Sequence, residues 1–188
     1  MKKINLVVGI TGASGAIYAQ LLLRKLEELK DQIGECGVIF SENAKDVWDF
    51  ELGSFQETSI PFKIYEQNDF FAPMASGSAA YTAMIICPCT MGTIGRIASG
   101  VSMDLMTRAA DVMLKERKKL ILVPREMPYN LIHLANMKLL TEAGAILCPA
   151  SPSFYNKPST IEDLVMTVVD RTLVLAGFEI DSFHWGEK

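Results

Sequence analysis

An arginine and a glutamate are locked between prolines in Pro124-Arg125-Glu126-Met127-Pro128, directly after an apolar, β-branched run. Arginine makes forked contacts to phosphate, and a carboxylic acid held partly out of water can move a proton near neutral pH. The pair therefore suits a phosphate ester and its proton, the competing reading being a surface ion pair in a loop. A second pair of cations, Arg108 and Lys115, is spaced seven residues apart on a helical pattern, which puts both on one side, two turns apart. They could face one anion. Lys115 is followed by Glu116-Arg117-Lys118-Lys119, a run that is more often a solvated helix end whose cations complement the dipole.

Gly9-Ile10-Thr11-Gly12-Ala13-Ser14-Gly15 follows an apolar run and opens a helical pattern. Glycines there let backbone approach an anion that helix N–H groups can hold. The spacing G-x-x-G-x-x-G is neither the dinucleotide fingerprint nor a P-loop, so a tight strand-to-helix turn without a ligand is the alternative. Glu42 stands nearly where a dinucleotide site wants its acid, so that test does not decide. Thr90 and Thr93 begin the helix after Cys87-Pro88-Cys89, where hydroxyls either cap the helix or bond a ligand. Cys87 and Cys89 are expected on one face of a strand, but no further Cys pair or His completes a zinc shell, so buried thiols are the reading. His133 and His184 stand alone and are read as structural or exposed.

The elements that must position these residues alternate. Apolar runs at Ile4–Gly9, Cys36–Ser41, Ala83–Cys87, Leu120–Val123 and Ala145–Cys148, with a weaker one at Phe62–Tyr65, lack two-residue polarity, as strands buried on both faces do. Helical patterns at Ala16–Leu29, Asn43–Leu52, Asp104–Arg117, Ile132–Ala143 and Ile161–Leu175 fall between them. The expectation is an α/β fold, a Rossmann-like or flavodoxin-like parallel sheet with helices on both faces, in a single domain over residues 1–188. Ligands in such sheets sit beyond the carboxyl ends of the strands, and the loops there hold the residues singled out above.

With 49% hydrophobic residues and 21% charged, disorder and low-complexity repeats are excluded. A net charge of −4 argues against nucleic acid or an anionic membrane as partner. No charge occurs between Asp69 and Arg96, yet Pro73, Gly77 and Pro88 break the stretch, so no membrane span is expected. Four cysteines scattered through apolar runs point to reduced thiols and the cytoplasm.

Gly12-Ala13-Ser14-Gly15-Ala16, Gln67-Asn68-Asp69, Ala75-Ser76-Gly77-Ser78, Ile86-Cys87-Pro88-Cys89, Arg108-Ala109-Ala110-Asp111, Leu114-Lys115-Glu116-Arg117, Val123-Pro124-Arg125-Glu126, Phe154-Tyr155 and Trp185-Gly186-Glu187 occur in this order. End to end, the sequence resembles the UbiX-type flavin prenyltransferases. The resemblance implies transfer of a dimethylallyl group from dimethylallyl monophosphate to reduced FMN, with bonds at N5 and C6. It also implies prenylated FMN delivered to a UbiD-type decarboxylase, and a homo-oligomer, a dodecamer.

Carried over by position, the resemblance implies FMN contacts at Gly12, Ala13, Ser14, Ser41, Thr90, Met91, Gly92, Thr93 and Arg125, and prenyl phosphate contacts at Lys115, Arg125, Glu126, Tyr155 and Arg171. Ser14 and Glu51 would stand close to the reacting flavin, with Glu126 as proton donor. A monophosphate leaves poorly unless its growing charge is neutralised, which Lys, Arg and Tyr can do. Tyr155 and Trp185 could steady positive charge on the allyl unit. No Asp-rich magnesium motif is present, so metal-free transfer is expected. Thr90 stands where the family often has Ser, keeping the hydroxyl, and the stretch Gly53–Pro61 matches nothing with a role. A cysteine decarboxylase of the same fold would need a His after the second strand, and Asn43–Leu52 has none. An FMN-storage or electron-transfer flavoprotein is the other reading.

Overall fold

The computed structural model describes residues 3–181. Six strands form one parallel sheet: β1 (Ile4–Ile10), β2 (Ile33–Phe40), β3 (Lys63–Tyr65), β4 (Ala83–Cys89), β5 (Lys119–Pro124) and β6 (Ile146–Leu147), ordered β3-β2-β1-β4-β5-β6. The helices are α1 (Ala16–Glu28), α2 (Glu42–Leu52), α3 (Met91–Ala98), α4 (Leu105–Lys115), α5 (Leu131–Glu142) and α6 (Ile161–Ala176). Each expected strand and helix is present, displaced by a few residues at its ends. Of α3 the sequence marks only the start, because Gly92 and Gly95 thin its apolar pattern.

Alternate residues of the central strands feed two cores, as a sheet covered on both faces requires. Leu6, Val8, Ile10, Ile85, Ile121 and Val123 pack under α1, α2 and α6, through Leu22, Leu26, Trp48, Val169 and Leu173. Val7, Met84, Ile86, Leu120 and Leu122 pack under α3, α4 and α5, through Ile94, Met106, Met113 and Leu140. Burial of these side chains removes about 25 cal/mol of unfavourable hydration per Å² of apolar surface, and most of this fold's stability comes from there.

One expectation is corrected. Cys87 and Cys89 do not share a face: Cys87 belongs to the first core and Cys89 to the second. The β4–β5 register shifts between Ile86 and Cys89, so the strict two-residue alternation that would align them is broken. Burial pushes both thiols well above the usual cysteine range, which makes them packing groups rather than nucleophiles.

Candidate functional site

The chain winds outward from β1 to β2 and β3, then returns to place β4 on the other side of β1. The loops after β1 and β4 therefore part in opposite directions and leave a crevice at the carboxyl edge of the sheet. Thr11 closes its floor. Its buried hydroxyl donates to the Pro88 carbonyl at 2.7 Å and accepts the Thr90 N–H at 2.9 Å. Thr11→Val keeps the volume but leaves the Thr90 N–H without its acceptor and the Pro88 carbonyl with only the longer bond from the Thr11 N–H at 3.3 Å. It should lower stability by about 1–3 kcal/mol, read as a fall in Tm and in denaturant midpoint; an unchanged midpoint would remove the clamp.

Gly12 is a glycine because α2 lies against it: a Cβ there would stand 2.7 Å from the Asn43 Cβ and 3.0 Å from the Asn43 carbonyl oxygen. Gly15 has φ 103°, in the left-handed region that glycine adopts without strain, and turns the chain into α1. No nearby side chain caps α1. Glu51, at the far end of α2, does so: one carboxylate oxygen accepts the Gly15 N–H at 2.8 Å and the Ala16 N–H at 2.7 Å. An anion is thus seated at a helix N-terminus, where the dipole favours it. Burial alone would raise the Glu51 carboxyl, but the Ser14 hydroxyl, the Ala16 and Gly15 amides and Arg125 outweigh it and hold it below the usual carboxylate range. Arg125, just past β5, donates from Nε to the Ser14 carbonyl at 2.8 Å and ties the β1 loop to the β5 loop. Ser14, Glu51 and Arg125 therefore form one bonded group.

On the other wall, Thr90 caps α3: its side chain accepts the Thr93 N–H at 3.2 Å and meets the Thr93 hydroxyl at 2.9 Å. The Thr93 side chain is buried and also takes a bond from Arg96 Nη2 at 3.1 Å, while the Met91 side chain packs into the second core. A ligand would therefore meet Met91 and Gly92 through backbone, while both the N–H and the hydroxyl of Thr93 are already engaged by Thr90. Ser41 begins α2 beside β1, its N–H bonded to the Ile10 carbonyl at 2.9 Å, and Ala13 is buried within the loop.

Tyr155 and Arg171 share a cleft of about 500 Å³ between the 148–156 loop and one face of α6, with Ser151, Ser153 and Asp170. Ala150 in that loop donates to the Pro124 carbonyl at 3.0 Å, so the cleft adjoins the end of β5 that carries Arg125 and Glu126. Glu126 is exposed, its Oε1 accepting the Met127 N–H at 3.0 Å.

Lys115 breaks the expected convergence. It ends α4 four residues before β5 begins, is ion-paired with Glu116 and lies against Gly77, which precedes β4. That is the amino edge of the sheet. The six residues of β5 put about 20 Å of strand between it and Glu126. Arg108 lies on the same side of α4 as expected, bonded to the Ala75 carbonyl and to Asp111, each at 3.0 Å. Trp185 and His184 lie outside the described residues, and His133 serves in the capping box of α5 with Asn130. Nothing local in the sequence marks Asn43, and for Thr11 a threonine between glycines at a strand end is the one local signal, its partners standing 77 and 79 residues away.

The Flavoprotein family model matches residues 1–173. The chain is 45% identical over 185 residues to the flavin prenyltransferase UbiX of Methanocaldococcus jannaschii, covering 97% of this chain and 98% of the relative. AnUbiX (PadA1), solved in complex with FMN and dimethylallyl pyrophosphate, superposes with a TM-score of 0.89 at 36% identity, over 99% of this chain and all of that one. A dodecameric, FMN-dependent UbiX-like decarboxylase from Escherichia coli O157:H7 superposes with a TM-score of 0.91 at 38% identity, over 98% of this chain and all of that one. Fold, loop chemistry and full-length likeness agree, and the chain belongs to the UbiX flavin prenyltransferases within the Flavoprotein family.

Proposed function

We propose that this protein joins the dimethylallyl group of dimethylallyl monophosphate to N5 and C6 of reduced FMN, making prenylated FMN. The observation that carries the reading is the bonded group of Ser14, Glu51 and Arg125 at the crevice between β1 and β4. The residues fit the flavin. Glu51 already takes the Gly15 and Ala16 amides at the start of α1, and Thr90 takes the Thr93 amide, so the Met91 and Gly92 amides at the start of α3 serve as donors to the FMN phosphate. Gly12, Ala13, Ser14 and Ser41 line the approach to the ring system. Reduced FMN supplies the nucleophilic N5 and C6.

The chain's own residues handle the departing phosphate. Arg125, Glu126, Tyr155 and Arg171 stand at or beside the carboxyl end of β5, where their donors offset negative charge growing on the ester oxygen as the carbon–oxygen bond breaks. Glu126 gives that oxygen its proton. Lys115 takes part from a neighbouring copy, since its own chain holds it at the opposite edge. Assembly is also favoured by the outer face of α5, where Leu131 and Ile132 are 80% and 69% exposed. The assembly is a homododecamer; it acts in the cytoplasm and passes its product to a UbiD-type decarboxylase. Among the described residues no helix is long and apolar enough to cross a membrane.

Purified protein is incubated anaerobically with reduced FMN and dimethylallyl monophosphate, or the diphosphate, and the flavin is weighed. A five-carbon gain with the monophosphate, undiminished by EDTA, is expected. Bound FMN of unchanged mass would replace the transferase with a storage flavoprotein.

A further inference from the structure

Glu51 reaches α1 from a helix that is weakly anchored. Of the eleven residues of α2, Ala44 and Trp48 are buried. Its first turn is seated by the close approach of Asn43 to Gly12. Toward its last turn, the Trp48 ring stands edge-to-face against Phe40 at 6.2 Å and 68°, and against Phe55 at 5.6 Å and 74°. Phe40 ends β2 and Phe55 follows α2, and their rings meet at 4.8 Å, so the three close a triangle. The Phe55 corner is itself fixed: its N–H donates to the Asp49 carboxylate, and the Lys45 ammonium lies 5.7 Å from its ring while pairing with Glu57 at 2.6 Å.

Trp48 and Glu51 are three residues apart, hence neighbours on the helix surface. Any turn of α2 about its axis that moves the indole also swings the carboxylate. We propose that Trp48 is a positioning residue, its ring held between Phe40 and Phe55 setting the rotation of α2 that seats Glu51 on the Gly15 and Ala16 amides. The inference rests on the reading above, in which Glu51 stands beside the reacting flavin. Edge-to-face rings resist rotation because their attraction depends on angle as well as distance. A leucine there is smaller and has no ring edge or face, so it would loosen the triangle and leave that angle unfixed.

The test uses the full-length assembly and compares Trp48→Leu, Trp48→Phe, Glu51→Gln and the double variant Trp48→Leu/Glu51→Gln, reading FMN affinity, kcat, KM for the prenyl phosphate, and the pH profile of kcat. Trp48→Leu should keep FMN affinity and KM while kcat falls by up to about 10²-fold, the scale of a misplaced reacting group. Its acid limb should also move to higher pH. Glu51 is now held ionised to low pH by Ser14, Gly15, Ala16 and, from β5, Arg125; losing those partners raises its carboxyl toward the ordinary value, so protonation sets in earlier as pH falls. Trp48→Phe should restore both readouts, and the double variant should be no slower than Glu51→Gln.

A slow Glu51→Gln with a fast Trp48→Leu, or with an acid limb that does not move, overturns the positioning role alone. A Trp48→Leu that loses only thermal stability does the same. A Glu51→Gln as fast as the unaltered protein removes the reading of Glu51 and the role of Trp48 with it.

Discussion

Glu126→Gln is expected to bind FMN as tightly as the unaltered protein and to lose about 10²–10⁴-fold in turnover, the range a positioned general acid contributes. The amide keeps the shape and the acceptor that receives the Met127 N–H, so the loop between Pro124 and Pro128 should not move. What disappears is the proton that the departing phosphate needs. The loss should therefore shrink with a donor ester whose leaving group requires no protonation. The check is single-turnover formation of the five-carbon adduct alongside an FMN titration. Undiminished turnover would take Glu126 out of the proton-donor role, and equal loss of flavin affinity would make it a structural residue of the loop.

Lys115→Ala is expected to lower turnover by about 10²–10³-fold with FMN affinity little changed, because the charge removed belongs to the leaving-group side of the reaction. The arrangement of α4 adds a sharper expectation. Lys115 of one chain lies at the amino edge and Glu126 of the same chain beyond the carboxyl edge. If a phosphate site takes them from different copies, then mixed assemblies contain some sites with neither defect. Co-expressed Lys115→Ala and Glu126→Gln chains should regain turnover that neither has alone. Mixed assemblies as inactive as the two parents would place Lys115 outside the site, and its ion pair with Glu116 would then be its whole role.

The alternation of buried strands with helices was legible residue by residue. Strands β1, β4 and β5 are apolar on both faces because both faces are covered, and that leaves a continuous Val, Ile and Leu signature in the chain itself. The caps of α4, α5 and α6 at Asp104, Asn130 and Thr160 are local too, each bonded three residues on, although the helical patterns alone mark only Asp104 as a helix start. The Arg125–Glu126 loop, the glycine loop and Thr90 could be ranked from position alone, because strand ends in a parallel sheet are where loops can hold a ligand.

Distance along the chain hid the rest. That Thr11 bonds Pro88 and Thr90, that Glu51 caps a helix beginning 35 residues earlier, and that Arg125 holds the Ser14 carbonyl are contacts between segments whose local patterns say nothing of one another. The two-residue rule for Cys87 and Cys89 failed because a register shift is a property of the paired strands, not of either one. Residue type and short-range spacing were enough for the kind of chemistry and the winding of the sheet, because helix and strand periods act over a few residues. Which groups meet, and that Lys115 ends up at the far edge from Glu126, was decided by packing around the sheet, where the length of β5 and the direction of α4 outweigh any local preference.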